Sequence, residues 1–198
     1  MKRLVLMLIC LFVIGSSFAQ TSETAVEQHL KFKGIPIDGA PSEFGSKLKA
    51  SGFVYDETIS GNPCYKGSFA GYYDCNICVK VHNNMVYEVV ALLPHSYSWN
   101  HLYNAYSSLK KMLTAKYGEP WLYEEKFENT PSYVNLDDDK DKFREVKNGH
   151  CKYVAAFTSL KDGLGSIVLE IKDSGRIGLH YEDWTNSQKK NSSAINDL

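Results

Sequence analysis

The stretch SIVLEIKDSGRIGLHY, residues 166–181, decides the fold of this 198-residue chain. Apolar and polar side chains alternate on both sides of the turn at residues 173–175, which is typical of two half-buried strands. The turn is too short for a parallel crossover, so the pattern predicts an antiparallel hairpin. A sheet built this way buries one face under helices and leaves the other in contact with water.

The same apolar pattern occurs ninety residues earlier. The matching positions are Ile77, Val79, Val81, Tyr87 and Val89 in the first set, and Ile167, Leu169, Ile171, Ile177 and Leu179 in the second. Such a constant offset indicates an internal repeat, with closely spaced strands in each copy.

A helix is predicted ahead of each set of strands. The first covers residues 41–51, with Pro41 in its first turn and Gly52 as its stop. The second covers residues 99–116, capped by Ser98 and followed by Gly118. We therefore predict an α+β fold of two tandem repeats, 20–94 and 95–183. Each has one helix and about four antiparallel strands, and the helices lie on one sheet face.

The first nineteen residues have the pattern of a secretory signal peptide. Lys2 and Arg3 precede an apolar run, and Ser17-Phe-Ala19 has the small residues that a signal peptidase accepts. We expect an exported protein, periplasmic or extracellular. No apolar run reaches the roughly 20 residues of a membrane helix, so stable membrane insertion is not expected.

The charge balance argues against nucleic acid as a partner. The chain has 22 basic and 23 acidic residues, and removal of Lys2 and Arg3 leaves 20 against 23, a net charge of −3. This composition provides no broad basic surface for phosphate contacts. The polar segment 184–198 is predicted to be a mobile tail.

Four cysteines remain after the signal peptide, which permits two disulfides in an oxidising compartment. Cys75 and Cys78 lie three residues apart in a strand, so their side chains point to opposite faces and cannot bridge each other. Cys64 and Cys78 share one face of neighbouring strands and are the preferred pair. A second bond, between Cys75 and Cys151, is the weaker prediction.

No metal site or cofactor is predicted. Asp137, Asp139 and Asp141 have the spacing of a calcium loop, but Lys142 and Asn148 stand where an EF-hand needs Gly and Glu. We expect a solvated acidic loop within an insertion at residues 128–147. The six histidines form no metal-binding motif.

Exposed aromatic and polar side chains are the candidate binding residues. Tyr72 and Tyr73 lie at the tip between two strands, and Tyr97 and Trp99 lie where the second helix begins. Such side chains offer stiff contact surfaces, although the same residues could instead pack on the core. Arg176 and His180 lie on the polar face of the last strand.

The repeated helix and sheet resemble the beta-lactamase-inhibitor-protein-like architecture and the PepSY-like small periplasmic domains. The opening stretch of residues 29–38, followed by Ser42-Glu-Phe44 and Leu48, also looks like uncharacterised secreted proteins of gut Bacteroidetes. Both resemblances imply a non-catalytic binding or inhibitory role.

Three functions follow as hypotheses. The first is an exported, non-catalytic binding or inhibitory module that recognises a protein or glycan through the polar sheet face and hairpin tips. The alternatives are an envelope hydrolase that uses a Cys or His residue and a carbohydrate-binding module. The chain lacks the G-x-S-x-G motif of the serine hydrolases.

Overall fold

A computed structural model describes residues 28–158 and 163–195. The predicted signal peptide, residues 1–19, lies outside the described part of the chain. The described part begins with a hairpin of two short strands, β1 (Lys31–Phe32) and β2 (Ile35–Pro36), followed by helix α1 (Pro41–Ala50).

Two four-stranded units follow one another along the chain. The first half of the sheet contains β3 (Val54–Ile59), β4 (Asn62–Phe69), β5 (Tyr72–His82) and β6 (Met85–Leu92). Helix α2 (Trp99–Tyr117) precedes the second half, which contains β7 (Leu122–Phe127), β8 (Cys151–Thr158), β9 (Gly165–Lys172) and β10 (Arg176–Asp183). Helix α3 (Asp139–Lys147) is inserted between β7 and β8, and helix α4 (Trp184–Ile195) follows β10. The predicted α+β class, with four antiparallel strands after each predicted helix, is confirmed, and α3 and α4 are additional helices.

The two halves join into one continuous antiparallel sheet. Its strand order is β3-β4-β5-β6-β10-β9-β8-β7, so the last strand of one half pairs with the last strand of the other. At this seam His180 lies opposite Val90. These two positions are also ninety residues apart. They are therefore equivalent positions of the two halves, and the halves meet at this pair.

One core lies between the sheet and the helices α1 and α2. Phe44 and Leu48 of α1 and Leu102 and Leu109 of α2 are buried in a single cluster with the apolar side chains of the strands. The ring of Phe32 lies 5.3 Å from that of Tyr181, which connects the β1–β2 hairpin to the second half. Full burial of each such side chain stabilises the fold by about 1.5–3 kcal/mol.

Two helices were not predicted. The acidic stretch expected to be a loop begins α3, because the Asp138 carboxylate accepts hydrogen bonds from the backbone N–H groups of Lys140 and Asp141. Asp139 accepts from the backbone N–H of Asn100, and Asp141 accepts from that of Asn135. The Asp139 and Asp141 carboxylates of the D-x-D-x-D motif are therefore committed to a helix start and to loop closure, and the expectation of a loop over residues 139–141 is wrong.

The segment predicted to be a mobile tail forms α4 through residue 195. Asp183 caps it by accepting a hydrogen bond from the backbone N–H of Asn186. The buried Asn186 amide donates to the carbonyl oxygens of Ile37 and Val86. Buried polar groups with partners of this kind hold a segment that has little apolar surface of its own. Among the described helices, none is long and apolar enough to cross a membrane.

Candidate binding face

The sheet face opposite the buried cluster carries a group of polar side chains at the seam between the halves. These residues, all partly exposed, define what we call the open face: Glu88, Glu170, Lys172, Arg176 and His180. They lie on β6, β9 and β10, the three strands around the seam. The strand alternation that buries Leu169, Leu179 and Tyr181 on one side necessarily places them on the other.

His180 joins both halves through its two ring nitrogens. Nδ1 lies 2.8 Å from Glu88 Oε1, and Nε2 lies 3.0 Å from Glu170 Oε1. Burial disfavours the charged ring, but hydrogen bonds to Glu170 and Glu88 outweigh it and raise the pKa of His180 to about 9. The imidazolium therefore donates to a carboxylate on each side at neutral pH.

Glu170 is the acidic centre of this network. Its hydrogen bond from His180, together with the contact from Lys172, outweighs burial and lowers its pKa to about 2. Glu170 thus stays ionised through the physiological range. The open face therefore carries fixed, oriented charges at this position.

Arg176 is held by a backbone carbonyl and a side-chain amide oxygen at the end of the seam. Its Nε donates to the Leu93 carbonyl at 2.6 Å, and one terminal nitrogen donates to Asn76 Oδ1 at 3.2 Å. Burial lowers the pKa of this guanidinium. Arg176 was predicted as a binding residue. Its hydrogen bond to Leu93 also positions the loop that leads from β6 to α2.

That loop also contacts the β9–β10 turn closely. Gly175 has a φ of 77°, and a Cβ there would lie 3.1 Å from the Ser96 carbonyl oxygen and 3.4 Å from the Phe143 ring. The Ser96 backbone N–H donates to the Gly175 carbonyl at 2.9 Å. Glycine is required here by both the backbone conformation and the close approach.

A line of basic side chains crosses the open face of the second half. Lys126 lies opposite Lys152, Arg176 lies opposite Lys172, and the pairing of β8 with β9 places Lys152 beside Lys172. We call these four residues the basic row. Neighbouring strands are about 4.8 Å apart, so the row extends over roughly 14 Å. Acidic neighbours moderate it, since Lys152 lies 2.6 Å from Glu124 and Lys126 lies 3.2 Å from Glu128.

The first half carries a disulfide on the same face. Cys64 and Cys78 are cross-strand neighbours of β4 and β5, and they are bonded. The preferred pairing is confirmed. The second predicted bond, between Cys75 and Cys151, is wrong, because both thiols are free.

Neither free cysteine has the environment of a nucleophile. Burial raises the pKa of the Cys75 thiol, and it raises that of Cys151 to about 12. A reactive thiolate needs the opposite shift. The hydrolase alternative gains no support from these two residues.

The four predicted aromatic residues separate into two groups. Tyr73 and Tyr97 are 78% and 85% exposed, as a contact role requires. Trp99 is only 5% exposed, because its ring packs against Phe127 and Tyr153 at centroid distances of 4.9 and 5.0 Å. As a surface binding residue Trp99 is therefore a wrong prediction, and its packing role is the correct one.

Tyr72 lies between these extremes. It is half-buried and lines a cavity of about 210 Å³ between the start of β5 and the start of α2. Leu93, Pro94 and Leu102 are among the other lining residues. The side chain packs partly on the core, so its neighbour Tyr73 is the exposed residue of this tip.

Comparison with known proteins adds no assignment. No protein-family model, curated protein or solved structure matches this chain. The resemblance to inhibitor-like and PepSY-like domains therefore stays a prediction.

Besides Glu170, four positions of the open face and the basic row were missing from the predicted site. Glu88, Lys126, Lys152 and Lys172 have the same strand alternation as Arg176 and His180, and this signal alone could have placed them on the face. Their grouping depends on the order of the strands. That order brings Glu88 of the first half beside His180 of the second.

Proposed function

We propose that this chain is an exported, non-catalytic module that binds, and in doing so can inhibit, a protein partner through the open face. The observation that carries the proposal is the network of Glu88, His180 and Glu170, which fixes charged groups across the seam of the sheet. Charged side chains that are already held in place before binding lose little conformational freedom on association. Complementary charges on a partner would give orientation and fast encounter.

Export is part of the proposal. The signal-like residues 1–19 motivate it, and the Cys64–Cys78 disulfide is of the kind that persists in oxidising compartments. Periplasm and medium both meet that condition.

A protein surface fits the open face better than a sugar does. Sugar rings pack their C–H faces on the electron-rich faces of aromatic rings. None of the residues of the open face or the basic row is Trp, Tyr or Phe. Their charged groups lie beside aliphatic Val90 and Val168 on neighbouring strands, a mixture that suits a flat protein epitope.

The test is quantitative capture from an envelope extract of the source organism. The purified chain is immobilised, and the retained protein is identified and then titrated against a Lys152→Ala/Lys172→Ala variant. We expect affinity to fall about three- to tenfold, because two charge contacts of the open face are removed. The matched control is Lys47→Ala/Lys111→Ala, which removes two exposed charges from the helices α1 and α2.

The hairpin tip and the loop before α2 are tested separately. Tyr73→Ala/Tyr97→Ala removes two exposed rings, and Tyr133→Ala is the control, since Tyr133 is equally exposed on the inserted segment. A loss confined to the first variant would extend the binding surface to that end of the sheet. Partner capture unchanged by both the lysine and the tyrosine variants would refute the proposed surface, and retention of a glycan alone would favour the carbohydrate-binding alternative.

A further inference from the structure

Strand β7 is an edge of the sheet with open backbone groups. It pairs with β8 over all six of its residues without interruption, and no strand of the described residues pairs with its other side. Apolar side chains at its start are exposed: Trp121 is 61%, Leu122 46% and Tyr123 60% accessible. A regular, exposed edge strand is a template for pairing with another chain.

The ladder with β8 determines which backbone groups are open. The Glu128 backbone N–H donates to the His150 carbonyl, directly beyond the paired region. In an antiparallel ladder the residues alternate between bonding the neighbour and facing away. The even-numbered residues of β7 therefore bond β8, and Tyr123, Glu125 and Phe127 direct their N–H and C=O groups outward.

Antiparallel self-pairing through these three residues has three central registers, centred on Glu124, Glu125 or Lys126. The first sets Glu124 against Glu124 of the second copy, and the third sets Lys126 against Lys126. The register centred on Glu125 instead sets each Glu124 opposite a Lys126. Like charges directly opposite one another destabilise a sheet and opposite charges stabilise it.

The same register also brings suitable side chains together on the other face of the strand. Tyr123 lies opposite Phe127 of the second copy, an aromatic pair at both ends of the contact. Glu125 meets its own copy at the centre, and each of these carboxylates already has the Lys110 ammonium as its ion-pair partner. Glu124 and Lys126 also have ion-pair partners within the chain, Lys152 and Glu128, so intrachain compensation does not select a register. The Glu125 register is favoured because it sets two Glu124–Lys126 pairs and two aromatic pairs against a single like-charge pair.

We propose that two copies of this chain pair antiparallel through β7, with Glu125 opposite Glu125 at the two-fold axis. The two sheets then form one sixteen-stranded sheet. Both open faces lie on the same side of it, and the two basic rows approach each other at the axis. A partner with repeated epitopes would meet two copies of the binding face at once.

Disulfide trapping tests the register directly. We compare Glu125→Cys with Glu124→Cys and Lys126→Cys in the purified chain under mild oxidation, and measure the rate of covalent dimer formation on non-reducing gels. Directly paired residues have Cα atoms about 5.5 Å apart, within the range of a disulfide, so we expect Glu125→Cys to cross-link at least about tenfold faster than the other two. The wild-type chain provides the background, because its thiols at Cys75 and Cys151 have raised pKa values.

Sedimentation equilibrium tests the charge pairing without an added cysteine. We expect Lys126→Glu to weaken dimerisation about tenfold, and Glu124→Lys/Lys126→Glu to restore it, because the exchanged charges again face their opposites. Val54→Glu on the other edge strand, β3, is the matched control and should leave the dimer unchanged. A monomer at all accessible concentrations, fastest cross-linking at position 124 or 126, or dissociation by Val54→Glu alone would each overturn the proposal.

Discussion

The strands β3 and β7 occupy equivalent edges of the two halves, but they differ in how regularly they pair with their neighbouring strands. The pairing of β3 with β4 is interrupted by a bulge between Tyr55 and Glu57, whereas β7 pairs with β8 without a break. Bulges twist an edge away from further pairing. The same plan of one helix and four strands therefore produces one edge that resists association and one that favours it.

The two halves also differ in what lies on the side of the sheet that carries the open face. The Cys64–Cys78 disulfide occupies the positions that correspond to Ala156 and Val168 in the second half, where the cross-strand pair is not covalent. Ion pairs are concentrated on the second half and at the seam. A covalent bond fastens the first half, and charges define the surface of the second.

Among these predictions, removal of the disulfide should have the largest effect on the free energy of unfolding. Cys64→Ala/Cys78→Val gives the first half the residues of the second. We expect the free energy of unfolding to fall by about 3 kcal/mol, because the bond closes a loop with a sequence separation of 14. Urea unfolding with and without a reducing agent measures the loss. Reduced wild type is the control and should approach the variant, and equal stability of both proteins without reductant would contradict the assigned role.

Raising the pH should weaken the seam through His180. The folded-state pKa of about 9 exceeds the ordinary value near 6.5, so the stabilisation is complete below pH 6.5 and is lost as the pH rises through 9. We expect a loss on the order of 2 kcal/mol, allowing for partial exposure of the ring. Unfolding in urea at pH 6 and pH 9.5 measures it.

The control for this pH effect replaces His180 by the residue found at its counterpart position, Val90. His180→Val makes position 180 identical to its counterpart Val90. This variant is less stable than wild type at pH 6, since Glu88 and Glu170 lose their shared partner, but it should lack the additional fall up to pH 9.5. An unchanged pH dependence in His180→Val would show that another group titrates.

Loss of the α3 cap should have the smallest effect, because α3 is present in the second half alone. Asp138→Ala removes the carboxylate that accepts from the backbone of Lys140 and Asp141. We expect a cost of about 1 kcal/mol and faster amide exchange within α3, with exchange in β4 and β5 unaffected. Uniformly faster exchange in both halves would mean that α3 supports the whole sheet.

These differences also explain how far the sequence could predict the fold. Strong alternation, as in residues 166–181, predicts strands because one face is buried along the whole segment. Helix α3 has only Phe143 and Val146 as apolar residues facing inward, and α4 depends on Asn186 bonding to Ile37, 149 positions away. Long-range polar bonds of this type have no local sequence pattern.

The sequence predicted only part of the candidate site. The alternation placed Arg176 and His180 on the open face correctly. The pairing of β6 with β10, which brings Glu88 to His180, depends on how the halves assemble and not on either strand alone. Trp99 was predicted at the surface because it begins α2, but Phe127 of β7 and Tyr153 of β8 cover its ring.

Lysine footprinting of the complex tests the central claim most directly. The chain is treated with an amine-reactive ester alone and with its captured partner, and modification of each lysine is measured by mass spectrometry. We predict protection of Lys152 and Lys172 on the open face, with Lys47 and Lys111 on the helices modified equally in both samples. Protection of Lys47 and Lys111, with Lys152 and Lys172 unchanged, would contradict the account.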